Sequence, residues 1–280
     1  MMLSSAAAAA AASLPDPAVV LKPFLPAVSP PLNPSNPCMF IGDSLKSWTS
    51  PASLECNGLL VRRPFDGKWD SFQQDIDDAR TRFGAPQALV SKGSHRSSRL
   101  FERSVTNLLA AAALPSPLTQ QIHEDACELA SVLRSLCPAA TDFEVKLEIF
   151  GENTCARWHQ DHFVGRAIVS YTGQLGTQYT QNANVDFHEL KYCGNNDCIL
   201  RDKQGVESVA VGDLLLIKGT KYPGIGQPGA PANGLVHKSP PKLYDEDGKV
   251  VNRLVLKVDI MDAPIEEGGV FERAVRAKAA

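Results

Sequence analysis

Three things are missing from this sequence, and each excludes a class of protein. No run of about 18 strongly apolar residues occurs, so nothing in the 280 residues reads as a membrane-spanning helix. No block of like charges occurs, and 28 Lys and Arg stand against 31 Asp and Glu for a formal charge of −3. A general nucleic-acid binder draws its affinity from phosphate neutralisation and carries a basic excess. A small-molecule, peptide or protein partner is expected instead. The dense, even cysteine framework of a small secreted domain is also missing. Seven cysteines are scattered along the chain, at 38, 56, 127, 137, 155, 193 and 198, which points to a reducing, intracellular and cytoplasmic setting. No internal repeat is visible.

The first 37 residues are poor in charge, with Asp16 and Lys22 alone, and rich in small residues, with eight of the 20 prolines and an alanine run over 6–12. Such a segment buries little apolar surface, so residues 1–37 are expected to be a disordered leader. A signal peptide would want a positive start and a transit peptide would want arginines. The sequence therefore gives organelle targeting no support. Beyond the leader, hydrophobic residues have an ordinary globular share, 44% over the whole chain. One domain over 38–262 and a tail over 263–280 are expected.

Inside that domain the hydrophobic period changes once. A short strand, Leu59-Leu60-Val61, ends before Pro64. Trp69, Phe72, Ile76, Ala79 and Phe83 then recur at spacings of three and four, with Gly84 as a stop. The same period runs from Leu100 to Ala112. It returns from Leu118 to Leu136, where Ser116 and Pro117 mark a helix start. From Asp142 the period is two: Phe143, Val145, Leu147 and Ile149 alternate with Glu144, Lys146 and Glu148. Further strands are predicted at 166–171, 206–211, 214–218, 234–238 and 253–260. Helices followed by many short strands, without alternation, predict an α+β fold: an antiparallel sandwich over 142–262 backed by a mainly helical layer over 38–141.

The stretch Cys155-Ala-Arg-Trp-His159-Gln-Asp161-His162 carries the chemistry. Residues two apart on a strand share a face, so His159 and Asp161 would present an imidazole and a carboxylate together, with His162 on the other side. His237, near the end of a later strand, supplies a third ligand. Arg253 opens the last strand and would lie near His237 if the two strands formed a hairpin through the turn at Asp245–Gly248. Two histidines and one carboxylate leave three positions open on an octahedral metal, the arrangement by which non-haem Fe(II) oxygenases take a chelating co-substrate and O₂. An arginine can grip the far carboxylate of 2-oxoglutarate with two charge-assisted hydrogen bonds. Arg253 is the first candidate for that role, and Arg166 and Lys218 are alternatives. Zinc accepts the same ligands, so a non-catalytic zinc-binding sandwich is the competing reading. Cys193 and Cys198 enclose Gly194-Asn-Asn-Asp197, which suits a local disulfide or half a metal site. The glycines of Tyr222-Pro-Gly-Ile-Gly226 suit either a lid or an ordinary loop.

The order HxD, distant His, then Arg at the start of a final strand resembles the 2-oxoglutarate/Fe(II) dioxygenase superfamily. That resemblance implies a double-stranded β-helix, or jelly-roll-like sandwich. A nearer resemblance covers residues 38–262: Trp158-His159-Gln-Asp161 through Arg166, then Tyr171-Thr-Gly173, Gly176-Thr177, Gly212-Asp213, Lys218-Gly219, Gly234-Leu-Val-His237-Lys-Ser-Pro240 and Arg253-Leu-Val-Leu. These motifs are similar to the family called domain of unknown function 1826. That resemblance implies an oxygenase-like or zinc-homeostasis-related protein, and it marks Gln181 to Asp202 as a longer segment carrying His188, Cys193 and Cys198.

Overall fold

The computed structural model describes residues 38–65, 67–222 and 234–261. The leader over 1–37, the tail over 263–280 and the loop from Pro223 to Gly226 lie outside them.

In chain order the elements are β1 (Met39–Gly42), α1 (Pro51–Leu54), β2 (Gly58–Val61), α2 (Gln73–Phe83), β3 (Ala88–Ser94), α3 (Ser98–Ala112), α4 (Ser116–Leu136), β4 (Asp142–Phe150), β5 (Gly165–Ser170), β6 (Gln178–Thr180), α5 (Phe187–Tyr192), α6 (Asn196–Ile199), β7 (Val206–Ser208), β8 (Leu214–Lys218), β9 (Val236–Lys238) and β10 (Arg253–Ile260). Helix α3 starts where Ser97 Oγ accepts the Leu100 amide, satisfying one of the free first-turn donors. Helix α4 has its cap at Pro115, one residue before the predicted start, with Pro117 in the first turn, where no intrahelical donor is needed.

The strands form a seven-stranded sheet, ordered β1-β2-β8-β5-β10-β4-β3, and a three-stranded sheet, ordered β7-β6-β9. Every pairing is antiparallel except β1 with β2. The alternation in β4 sorts its two faces: Phe143, Val145, Leu147 and Ile149 are fully buried, whereas Glu144, Lys146, Glu148 and Phe150 are half-buried.

One apolar cluster joins that buried face, with Leu254, Leu256, Val258 and Ile260 of β10, to Phe101, Val105, Ile122, Leu129 and Leu133 of the helices. A second joins Leu60, Ile168, Leu215, Ile217 and Val255 on the opposite face to Tyr179 of the small sheet. The architecture is therefore helices, large sheet, small sheet, with the odd-numbered side chains of β10 looking into the space between the sheets.

Two features differ from the sequence expectations. Beside the expected strand at Leu59–Val61, which is β2, the mainly helical first part also supplies β1 and β3, and β3 forms one edge of the large sheet with Lys92 exposed, a side chain that discourages further pairing. The strands carrying His237 and Arg253 do not form a hairpin: β9 lies in the small sheet and β10 in the large one. Pro240 and Pro241 have no amide to continue a ladder. The turn at Asp245–Gly248, closed by the Gly248 amide on the Asp245 carbonyl at 3.0 Å, falls within the connection.

Candidate metal centre

His159 is held directly opposite His237: each backbone amide donates to the other's carbonyl at 3.0 Å. This single bridge adds the His159 segment to the edge of the small sheet beside β9. The chain then loops under the end of β8, where the Thr220 amide donates to the Asp161 carbonyl at 2.9 Å and the Gly219 amide to Val164 at 2.9 Å. Residue 219 must be glycine, since a Cβ there would stand 1.9 Å from the Phe163 carbonyl oxygen. The close crossing of two backbones fixes where Asp161 points.

Three donor atoms converge. Asp161 Oδ1 is 3.7 Å from His159 Nε2, and Asp161 Oδ2 is 3.5 Å from His237 Nε2. The two imidazole centroids are 4.4 Å apart, and the donor atoms of all three residues lie within 4.8 Å of one another. Atoms about 2.1 Å from a shared metal sit about 3.4 Å apart at tetrahedral angles and about 3.0 Å apart at right angles, so the two Asp161–histidine separations are nearer the tetrahedral spacing and exceed the right-angled one by about half an ångström or more.

The protonation pattern also suits a cation. His159 Nδ1 lies 2.8 Å from the Arg157 carbonyl and His237 Nδ1 lies 3.0 Å from the Leu235 carbonyl, so each Nδ1–H donates to backbone and each Nε2 lone pair faces Asp161. Burial pushes the His237 imidazole down to about 4 against the pull of Asp161. It is thus neutral near pH 7, as a metal ligand must be. Asp161 and His237 are buried, while the His159 side chain is 35% exposed and leaves that side open to solvent. His162 turns away, its Nδ1 2.9 Å from Thr220 Oγ1.

A protein-family model described as a protein of unknown function, DUF1826, matches residues 42–259. This chain belongs to the DUF1826 family. No curated protein matches it in sequence. Among solved structures, it is similar to the dioxygenase for auxin oxidation of rice (TM-score 0.44, 11% identity, covering 87% of this chain and 95% of that one). It is also similar to dioxygenase for auxin oxidation 1 of Arabidopsis thaliana in its 2-oxoglutarate complex (0.46, 8%, 84% and 95%). A third similar structure is HygX of Streptomyces hygroscopicus with nickel and 2-oxoglutarate bound (0.38, 14%, 73% and 82%).

The three cationic candidates of this DUF1826 chain occupy different settings. Arg166 points toward the triad, with Nη1 3.5 Å from Asp161 Oδ2, but its other guanidinium nitrogens make a bidentate pair with Asp259, whose Oδ2 also meets Lys146 at 3.2 Å. Burial opposes the Arg166 charge, yet Asp259 outweighs it and holds the guanidinium above its ordinary value. Arg166 is committed to protein carboxylates and orients Asp161. Sequence reasoning missed Asp259, although its parity with Arg253 placed both on one face.

Arg253 shares the inter-sheet face of β10 with Val255, Lys257 and Asp259. It is 6% exposed, so it does not face solvent. Its stem packs across Gly173, where a Cβ would meet Arg253 Cγ and Cδ at 2.8 Å, and its guanidinium stands 5.7 Å from the Phe150 ring centroid. Burial pushes it down to about 10, and no carboxylate pairs with it among the described residues. A buried guanidinium lacking an anion is costly in an isolated protein and suited to a chain that receives one.

Lys218 is turned the other way, correcting its place among the co-substrate candidates. It has the parity of Leu214 and Leu216, which face the helices, and its Nζ donates to the Ser53 carbonyl at 2.7 Å and the Leu54 carbonyl at 3.2 Å. Burial pushes its ammonium down from 10.5 to about 8. Between these values the unfolded chain keeps a proton that the folded chain has released, so Lys218 makes stability rise with pH across that window. The rise is at most about 3 kcal/mol at about 1.4 kcal/mol per pH unit. Lys218→Met removes the dependence. In chemical denaturation its advantage over the parent should be greatest at pH 7 and shrink by about 3 kcal/mol on reaching pH 10.5. A constant difference would show that Lys218 titrates normally.

Tyr171 lies on the helical side too, its hydroxyl donating to Asp125 at 2.7 Å, and Trp158 packs with Val185, Ile199, Leu200 and Val236 beneath the 182–205 segment.

Proposed function

We propose that this chain is an Fe(II)- and 2-oxoglutarate-dependent oxygenase that hydroxylates or demethylates an organic substrate. The reading rests on one observation, the convergence of His159 Nε2, His237 Nε2 and an Asp161 carboxylate with both Nδ1 atoms tied to backbone. Strand order supports it: from β4 to β10, counting the His159 bridge as a strand, the chain visits large, small, large, small, small, large, small and large sheet in turn. That winding is the pattern of a double-stranded β-helix with its ligands between the sheets.

His159, Asp161 and His237 would hold the metal on one face and leave the opposite positions free. Bound Fe(II) supplies the redox chemistry that couples oxidative decarboxylation of a 2-oxo acid to oxidation of a C–H bond. The chain does the positioning. Arg166 holds Asp161 in place through its bridge to Asp259, and Arg253 offers the unpaired charge that a distal carboxylate needs. The half-exposed side at His159 admits the substrate. A non-catalytic zinc module would use the same triad but gives no reason for burying Arg253 without a partner.

Turnover tests the proposal. With Fe(II) and O₂ the purified chain should convert 2-oxoglutarate to succinate and CO₂ in equal amounts, with stimulation by at least one member of a broad substrate panel. O₂-independent succinate, or none with any panel member, would count against it.

A further inference from the structure

The segment between β6 and β7 carries a second group of metal-ligating side chains, well apart in sequence from the triad. Helix α5 presents Glu189, the turn after it Cys193, and α6 Cys198, and their ligand atoms all lie within 4.8 Å of one another. His188 stands beside Glu189, its Nδ1 3.5 Å from the carboxylate. We propose that Cys193, Cys198 and Glu189 form a second cation site, for a borderline-soft divalent ion of the zinc type, with the fourth position open to solvent.

The donor chemistry carries the assignment. Two thiolates and a carboxylate select zinc over the hard cations magnesium and calcium, and two sulfurs about 2.3 Å from a tetrahedral zinc sit about 3.8 Å apart, within the spread seen here. Fold context gives the site a consequence. Asn196, inside the Cys193–Cys198 turn, accepts the Trp158 amide at 3.0 Å and donates to the Ala156 carbonyl at 2.8 Å. Arg157 donates to the Leu190 carbonyl at 3.2 Å at the end of α5. A cation on the two thiolates therefore pins α5 and α6 onto the backbone that leads into His159, and cation occupancy here orders one wall of the triad.

The test uses the full chain, reduced, and two independent readouts. Of the seven cysteines only Cys155, Cys193 and Cys198 are exposed, so a maleimide should label three thiols rapidly. Added Zn(II) should protect Cys193 and Cys198 and leave Cys155 reactive, as mapped on peptides. In His159→Ala/His237→Ala, which removes the triad, one Co(II) per chain should still show thiolate-to-cobalt charge-transfer absorption, and Cys193→Ser/Cys198→Ser should abolish it. Equal labelling of both cysteines with and without zinc would overturn the proposal. So would a Co(II)–thiolate band that survives the double serine variant, or a Cys193–Cys198 disulfide that forms in air despite saturating zinc. Each outcome is independent of oxygenase turnover, so failure here leaves the triad reading standing and the reverse.

Discussion

Replacing His237 with alanine should lower the affinity of the triad for Fe(II), or for Co(II) as an air-stable surrogate, by more than about 100-fold. Loss of an outer hydrogen-bond partner of a ligand already costs about 10–100-fold, and His237 is itself one of three donors. Its setting makes the effect specific. The imidazole is buried, its Nδ1 is committed to the Leu235 carbonyl, and only Nε2 faces Asp161. His237→Gln, which keeps side-chain bulk and a weak donor, should bind more weakly than the parent while giving the same far-ultraviolet circular dichroism. Titration on a background carrying Cys193→Ser/Cys198→Ser keeps the thiol cluster out of the measurement. Unchanged affinity and stoichiometry in a folded His237→Ala protein would remove the triad from consideration.

The second large effect belongs to Arg253. With the metal in place, Arg253→Ala should weaken 2-oxoglutarate by about 100-fold or more, equivalent to roughly 3 kcal/mol, the order of loss when one partner of a buried charge pair is truncated. Metal affinity should be unchanged, because Arg253 has no contact with the three ligands among the described residues. Arg253→Lys should recover part of the loss, since a point charge replaces a two-pronged fork. An equal loss of a 2-oxo acid without the distal carboxylate would show that Arg253 acts on the fold and not on that group. Isothermal titration under anaerobic conditions separates these outcomes.

Much of this site could be read from the chain because the signals were local. The alternation from Phe143 to Ile149 fixed which face of β4 meets the helices, and the three longer helices announced themselves by period. His159-Gln-Asp161 placed an imidazole and a carboxylate together by spacing alone, although the segment is a single bridge and a loop rather than a strand. What was not legible depended on long-range pairing. β1 and β3 lie at the two edges of the large sheet, and the four residues Met39–Gly42 have no period to read. The connection after His237 looked like a hairpin because a turn signal sits within it, but the partner of β9 is β6, where Tyr179 stands opposite His237 from 58 residues earlier. Lys218 was misplaced for a different reason. Its charge suggested a binding role, whereas its parity with Leu214 and Leu216 already pointed it toward the helices. The Arg166–Asp259 pair joins residues 93 positions apart, beyond any local pattern.

Anaerobic addition of 2-oxoglutarate to the Fe(II)-loaded chain tests the central claim most directly. Bidentate chelation by the 2-oxo acid should produce a visible metal-to-ligand charge-transfer band that saturates at one co-substrate per chain. The band should be absent in His237→Ala and should need far more 2-oxoglutarate in Arg253→Ala. A chain that holds Fe(II) or zinc tightly at His159, Asp161 and His237 yet develops no band at saturating 2-oxoglutarate would contradict the account.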